Sequence, residues 1–263
     1  MNFLEEARKR IIFAADVGSA GELRNYIQTF DGFIGTVKLG KELLTYALMT
    51  GEPVVEAVMR ESSLQVMWDL KYADVPPTVR GAAREVATYY GERILGFTVH
   101  CMAGPKALEA ALEGVKIGYS GAADKKPMVI AVTLLTSLDK SDLEKLRIQG
   151  TPEEVVLAYA KMASDVGVEA IVCSPRETEK VLAINKNFKV INPGIRFSDS
   201  SVGEQKRVGT PGGAIYDGAH AVVMGTDLRV GDPKANAKRA AREIAEALKY
   251  RESCVTYDEG GEG

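Results

Sequence analysis

Charged side chains are concentrated in the stretch MWDLKYADVPPT at residues 67–78. Asp69 and Lys71 are two residues apart, so on an extended strand both side chains point to the same side. Asp74 follows three residues later, just before a Val-Pro-Pro sequence that favours a turn and a helix start. A lysine flanked by carboxylates stays charged and can donate a proton, which suits reactions that expel an anion or CO2. Schiff-base chemistry favours a lysine in an apolar or cationic setting instead.

Two earlier apolar runs also end in charged residues, because IIFAAD ends in Asp16 and FIGTVK ends in Lys38. The structural alternative for the 67–78 stretch is a surface ion pair between Asp69 and Lys71, with Asp74 capping the following helix. Three successive apolar runs that end in charge favour a shared site over isolated caps.

A second polar stretch, NPGIRFSDSSVGEQKRVGTP, occupies residues 192–211. A loop of this length between barrel elements is typical of a functional segment, and we expect a mobile lid. Arg196, Gln205 and Arg207 supply donors suited to a phosphate or a carbonyl-rich ring. The alternative is a solvated loop whose arginines have no specific partner.

Other polar residues follow apolar runs. Gly225, in VVMGTDL, permits close approach of the backbone to an anion. Thr136 and Ser137 follow the run MVIAVT, where hydroxyls either bond a ring or begin a helix. His100 is interpreted as a hydrogen-bonded core residue rather than a base, and Cys173 as buried and inert.

Eight apolar runs of strand length alternate with helical-period segments, which predicts repeated βα units closing a (β/α)8 TIM barrel of class α/β. The alternative, an open doubly wound sheet, lacks a GxGxxG sequence after its first strand. We expect one domain over residues 1–250 and a flexible tail over residues 251–263. The predicted strands are Ile11–Asp16, Phe33–Lys38, Leu64–Asp69, Ile94–His100, Met128–Thr133, Glu169–Cys173, Phe188–Asn192 and His220–Gly225, and the clearest helices are Val75–Tyr90, Pro105–Glu113, Pro152–Val166 and Pro233–Tyr250.

The composition is that of an ordinary globular protein. The 263 residues are 46% hydrophobic and 26% charged, with a formal net charge of −3, which argues against a general nucleic-acid binder. No long apolar run or signal-like N-terminus is present, so we expect a cytoplasmic protein without membrane association. The three cysteines are scattered and form no metal-ligand spacing, so we expect no structural metal.

These motifs together resemble the orotidine 5′-phosphate decarboxylase family. The resemblance covers nearly the whole barrel and is strongest in DLKYADVPPT, in AVTLLTS, and in NPGIR followed by EQKRVGTP. It implies decarboxylation of orotidylate to UMP without a metal or organic cofactor, by a homodimer whose active sites are shared between subunits. Two alternatives stay open: a metal-assisted phosphosugar decarboxylase or aldolase that shares DxKxxD, and a nucleotide-binding homologue with weakened catalysis.

The resemblance also implies roles for individual residues. Lys71 would protonate the pyrimidine at C6, with Asp69 and Asp74 beside the departing carboxylate and Lys38 completing an alternating array of charges. Substrate-binding positions would be Asp16 and Lys38 at the ribose, Thr136 and Gln205 at the pyrimidine, Arg196, Gly225 and Thr226 toward the phosphate, together with Pro193 and, from the partner subunit, Thr78.

Two positions depart from the family pattern. Pro77 stands where the family usually has Asn, which alters a turn. Thr226 stands where the family has an arginine that forks onto the phosphate, a loss of charge-assisted hydrogen bonds worth ~1.5–3 kcal/mol each. Arg229 and Arg207 are the candidates for replacing it.

Overall fold

Eight parallel strands form a closed barrel in the order β1 to β8 in a computed structural model that describes residues 2–200 and 208–258. Strand β8 returns to pair with β1, with Ile12 opposite Val223, which closes the barrel. The fold is therefore the predicted single-domain (β/α)8 TIM barrel. The strands are β1 Ile11–Ala14, β2 Thr36–Gly40, β3 Gln65–Tyr72, β4 Ile94–His100, β5 Met128–Val132, β6 Ala170–Val172, β7 Lys189–Asn192 and β8 Ala221–Met224.

Helices surround the barrel and separate the strands. They are α1 Phe3–Lys9, α2 Ala20–Phe30, α3 Lys41–Thr50, α4 Val54–Glu61, α5 Pro76–Tyr90, α6 Pro105–Gly118, α7 Lys140–Lys145, α8 Pro152–Val166, α9 Thr178–Ile184, α10 Pro211–Tyr216, α11 Thr226–Arg229 and α12 Pro233–Asp258. None of those within the described residues is long and apolar enough to cross a membrane.

Local sequence explains where several helices begin and end. Five of them start at a proline, whose fixed φ suits the first helical position. Helix α8 adds a capping box in which Thr151 and Glu154 bond each other's backbone amides, and it ends at Gly167 in the left-handed region. The prediction Pro152–Val166 is confirmed at both ends.

The barrel has two layers of core. Inside it, small and branched side chains such as Ile12, Ile130 and Ile191 fill the axis. Outside, a larger apolar shell packs the strands against the helices. Because both faces of the strands are covered, their sequences are continuous apolar runs rather than alternating ones.

Most predicted elements differ from the structure at one bound or both, and the differences in β3 and α12 bear on the site and on the predicted tail. Strand β3 continues past Asp69 to Tyr72, so that both Asp69 and Lys71 lie within it. Helix α12 continues past Tyr250 to Asp258, because residues 251–258 contain neither proline nor glycine to end it. Flexibility of the tail stays a prediction.

Candidate active site

Four side chains of alternating charge form a continuous row at the C-terminal end of the first three strands. Lys38 Nζ lies 3.0 Å from Asp16 Oδ1 and 3.2 Å from Asp69 Oδ2. Lys71 Nζ lies 2.9 Å from both oxygens of Asp69. Asp69 is thus held between two ammonium groups, and we call these four residues the charge row.

The backbone of β3 changes register between Trp68 and Tyr72, which is where Lys71 enters the site. Lys71 has a φ of 50°, in the left-handed region that a lysine adopts at a cost of about 1–2 kcal/mol. The Thr98 hydroxyl of β4 accepts a hydrogen bond from the Lys71 amide at 2.8 Å and donates one to Asp69 Oδ1 at 3.0 Å. Thr98 therefore fixes both the strained backbone and the carboxylate.

Asp69 is ionised despite being almost fully buried. Burial raises the pKa of its carboxyl, but the charges of Lys38 and Lys71 and the hydrogen bonds from Lys71 and Thr98 outweigh that effect, and the pKa falls below its usual value. The site therefore holds a fixed negative charge next to an ammonium group.

Gly40 leaves room for the outer ion pair of the charge row. A Cβ at this position would stand 3.0 Å from Asp16 Oδ1 and 3.1 Å from Lys38 Nζ. Contacts at these distances are tighter than ordinary van der Waals contacts, so a side chain at this position would push the two polar atoms by a few tenths of an ångström.

The charge row lines a cavity of about 350 Å³ at the mouth of the barrel. Loops after β5, β7 and β8 complete its wall. The predicted site residues found in the lining are Asp16, Lys38, Asp69, Lys71, Thr136, Pro193, Arg196, Gly225 and Thr226, and Arg229 joins them.

The two arginines of the cavity are held in different ways. Arg196 Nε lies 3.5 Å from Oδ1 of the buried Asp227, whose other oxygen accepts a hydrogen bond from the Phe197 amide at 2.7 Å. Arg229 Nη1 donates to the backbone carbonyl of Asp16 at 2.8 Å. Asp227 is not among the residues predicted from the sequence, although its place directly after the Gly-Thr of the eighth apolar run was a signal.

The ends of the predicted lid are joined at its base. The Arg196 amide donates to the Gly209 carbonyl at 2.9 Å, and the Gly209 amide to the Gly194 carbonyl at 3.3 Å. Gln205 and Arg207 lie outside the described residues.

Asp74 and Thr78 do not join the charge row of their own chain. Both are exposed and absent from the cavity lining. Asp74 Oδ1 accepts a hydrogen bond from the adjacent Val75 amide at 2.7 Å, while Val75 itself occupies the N-cap position of α5. The helix-cap alternative for Asp74 is therefore wrong, because its carboxylate stabilises only the turn before the helix.

The surroundings of His100 and Cys173 indicate a structural role for both residues. His100 Nδ1 accepts a hydrogen bond from the Met102 amide at 3.3 Å. Burial, followed by the charges of Lys71 and Lys41, lowers the pKa of His100, which keeps the imidazole neutral. Cys173 is fully buried, and its carbonyl accepts a hydrogen bond from Asn192 at 2.9 Å. Within residues 2–200 and 208–258, no group of three or more His, Cys, Asp or Glu is placed to hold a metal ion.

The closed barrel with a charged cavity at the C-terminal ends of its strands defines the class of the protein, a TIM-barrel enzyme. Residues 9–240 match the model of the orotidine 5′-phosphate decarboxylase / HUMPS family, and the chain belongs to this family.

Individual relatives give the same result. The chain is 34% identical to the orotidine 5′-phosphate decarboxylase of Syntrophotalea carbinolica, over 94% of this chain and 99% of that one. It is 37% identical to that of Nitrosomonas eutropha, over 91% and 98% of the two chains. The crystal structure of orotidine 5′-phosphate decarboxylase from Lactobacillus acidophilus superposes with a TM-score of 0.74 at 28% identity, covering 90% of this chain and 99% of that one.

Proposed function

We propose that this protein decarboxylates orotidine 5′-phosphate to UMP, with Lys71 as the proton donor to C6. Family membership and the relatives at 34–37% identity support the reaction. They do not favour the phosphosugar alternative, since those relatives are named for orotidylate. The observation that carries the role of Lys71 is its ammonium group, bound by both oxygens of a buried, ionised Asp69 at the cavity wall.

The reaction breaks the bond between C6 and the substrate carboxylate. CO2 leaves, and the electron pair of that bond stays on C6. A proton from the Lys71 ammonium group forms the new C6–H bond, and Lys71 then regains a proton from solvent. Asp69 contributes in two ways, because it orients the ammonium group and because its negative charge disfavours the substrate carboxylate relative to neutral CO2.

The remaining cavity residues bind the substrate. Asp16 and Lys38 bind the ribose, and Thr136 binds the pyrimidine. The family resemblance assigns Gln205, which lies outside the described residues, to the pyrimidine as well. Pro193, Arg196, Gly225 and Thr226 form the side toward the phosphate. Lys38 has a double role, because its contacts with both Asp16 and Asp69 connect ribose binding to the charge row.

The active unit is a homodimer in the cytoplasm, and Asp74 and Thr78 act in the partner subunit's site. Their exposure supports this arrangement, since neither contributes to the cavity of its own chain. Apolar side chains on α5 and the adjoining β3–α5 loop are also exposed, with 61% of Val75 and 71% of Tyr89 accessible. An apolar groove between Trp68, Tyr72 and Val86 lies in the same region. A second copy of the chain would bury these surfaces.

The direct test is an assay of the purified protein that follows loss of orotidylate absorbance and formation of UMP. We expect turnover that is unchanged by EDTA. Activity that chelation abolishes and Mg²⁺ restores would support the metal-assisted alternative. UMP binding without turnover would support the homologue with weakened catalysis.

A further inference from the structure

The cavity lining contains more positively charged than negatively charged side chains. Four cationic side chains, Lys38, Lys71, Arg196 and Arg229, face two carboxylates, Asp16 and Asp69. Both lysines are bound by those carboxylates within the charge row. The excess positive charge therefore lies on the two arginines.

Arg196 already has an ion-pair partner and a backbone hydrogen-bond partner. Its Nε lies 3.5 Å from the carboxylate of Asp227, and its Nη1 donates to the Ile195 carbonyl at 3.1 Å. Asp227 is buried, and its second oxygen is used by the Phe197 amide. This arrangement fixes the start of the predicted lid and neutralises much of the charge of Arg196.

Arg229 has fewer polar partners than Arg196. Its side chain donates one hydrogen bond, from Nη1 to the Asp16 carbonyl at 2.8 Å, and it forms no ion pair with any carboxylate in the described part of the chain. A guanidinium group carries five N–H donors in a planar fork that matches two phosphate oxygens. The bond to a neutral carbonyl orients the fork while leaving donors for a ligand.

The position of Arg229 places it on the wall formed by Gly225 and Thr226. It lies three residues after Thr226 in α11, and residues with this spacing share a helix face. We propose that Arg229 binds the 5′-phosphate of the nucleotide and determines the preference for nucleotide over nucleoside. This inference rests on the proposed function for the identity of the nucleotide, while its chemistry requires only a phosphate dianion in the cavity.

The test compares binding of UMP and uridine by titration calorimetry in the wild type and in Arg229→Ala. Arg176→Ala is the matched control, because Arg176 follows β6 at the same end of the barrel but is exposed and outside the cavity lining. We expect Arg229→Ala to weaken UMP binding about tenfold or more while uridine binding changes less than about twofold. Arg229→Lys, which keeps the charge but loses the fork, should fall between the two, and the control should match the wild type.

Two results would overturn the inference. An unchanged ratio of UMP to uridine affinity in Arg229→Ala would mean that the phosphate is held elsewhere. Equal weakening of both ligands would mean that Arg229 only braces the Asp16 backbone. If Arg229→Ala fails to fold, an unchanged ratio in Arg229→Lys would count against the inference in the same way.

Failure of the proposed function gives a different result. A wild-type protein that binds UMP far better than uridine but does not turn over orotidylate contradicts the proposed function and leaves the role of Arg229 supported. If the wild type turns over orotidylate but Arg229→Ala keeps the wild-type ratio of UMP to uridine affinity, the proposed function is supported. Only the role of Arg229 is then contradicted.

Discussion

The Thr98 hydroxyl accepts a hydrogen bond from the amide of Lys71 at 2.8 Å, at the one residue of β3 that adopts a left-handed conformation. The same hydroxyl donates to Asp69. A single buried group on a neighbouring strand thus holds the backbone of the proposed proton donor and the carboxylate that orients it.

Replacement of Thr98 by valine should lower kcat more than it raises KM. Valine has nearly the same shape but leaves the Lys71 amide and Asp69 without this partner, and buried unsatisfied groups cost about 1–3 kcal/mol. We expect kcat to fall about tenfold to a hundredfold, which corresponds to ~1.4–2.7 kcal/mol of barrier. Thr98→Ser, which keeps the hydroxyl, should retain most of the activity in steady-state assays. Equal kcat in the valine and serine variants would contradict a positioning role.

Mixing two inactive variants tests whether sites are shared across a dimer. Lys71→Ala and Asp74→Ala should each abolish turnover alone. A hybrid dimer has one site with both residues intact, so random exchange of equal amounts should restore about a quarter of wild-type activity. Mass spectrometry of the mixture establishes that subunits have exchanged. No recovery after confirmed exchange would place Asp74 outside the partner's site.

The stability of the fold should decrease as pH falls from about 6.5 towards 4. Burial, followed by the positive charges of Arg10 and Lys189, lowers the pKa of His220 from its usual 6.5 to about 4. The unfolded chain therefore binds a proton that the folded chain does not, and the free energy of unfolding falls by at most ~1.4 kcal/mol per pH unit from this group.

Urea unfolding at pH 7 and pH 4.5, at one protein concentration, checks this dependence. His220→Asn should lose less stability over this interval than the wild type. His100 and Asp69, whose pKa values are also lowered, contribute to the pH dependence that the variant retains. An identical loss in both proteins would show that His220 does not contribute.

The sequence predicts the fold well because apolar periodicity and strand-end charges are local signals. Strand β4 is Ile94–His100 as predicted, and Asp16, Lys38, Asp69 and Lys71 meet at the expected end of the barrel. Parallel strands with both faces buried leave little freedom in where such residues are placed.

Other features depend on contacts between distant residues. The left-handed backbone of Lys71 is held by Thr98, 27 residues away, and a threonine within an apolar strand gives no sign of this role. The contact of Arg229 with the Asp16 carbonyl joins residues 213 apart. Such pairs arise from barrel closure, so spacing along the chain does not reveal them.

The turnover of Lys71→Ala measures whether Lys71 donates the proton to C6. The matched control is Lys41→Ala, which removes an exposed lysine at the start of α3 that does not line the cavity. We expect kcat to fall by a factor of about 10³ or more, the range of general acid catalysis, with a small change in melting temperature because Asp69 keeps Lys38 and Thr98. The control should retain wild-type turnover. A folded Lys71→Ala protein that keeps more than about a tenth of wild-type kcat, a barrier increase below ~1.4 kcal/mol, would contradict the assignment.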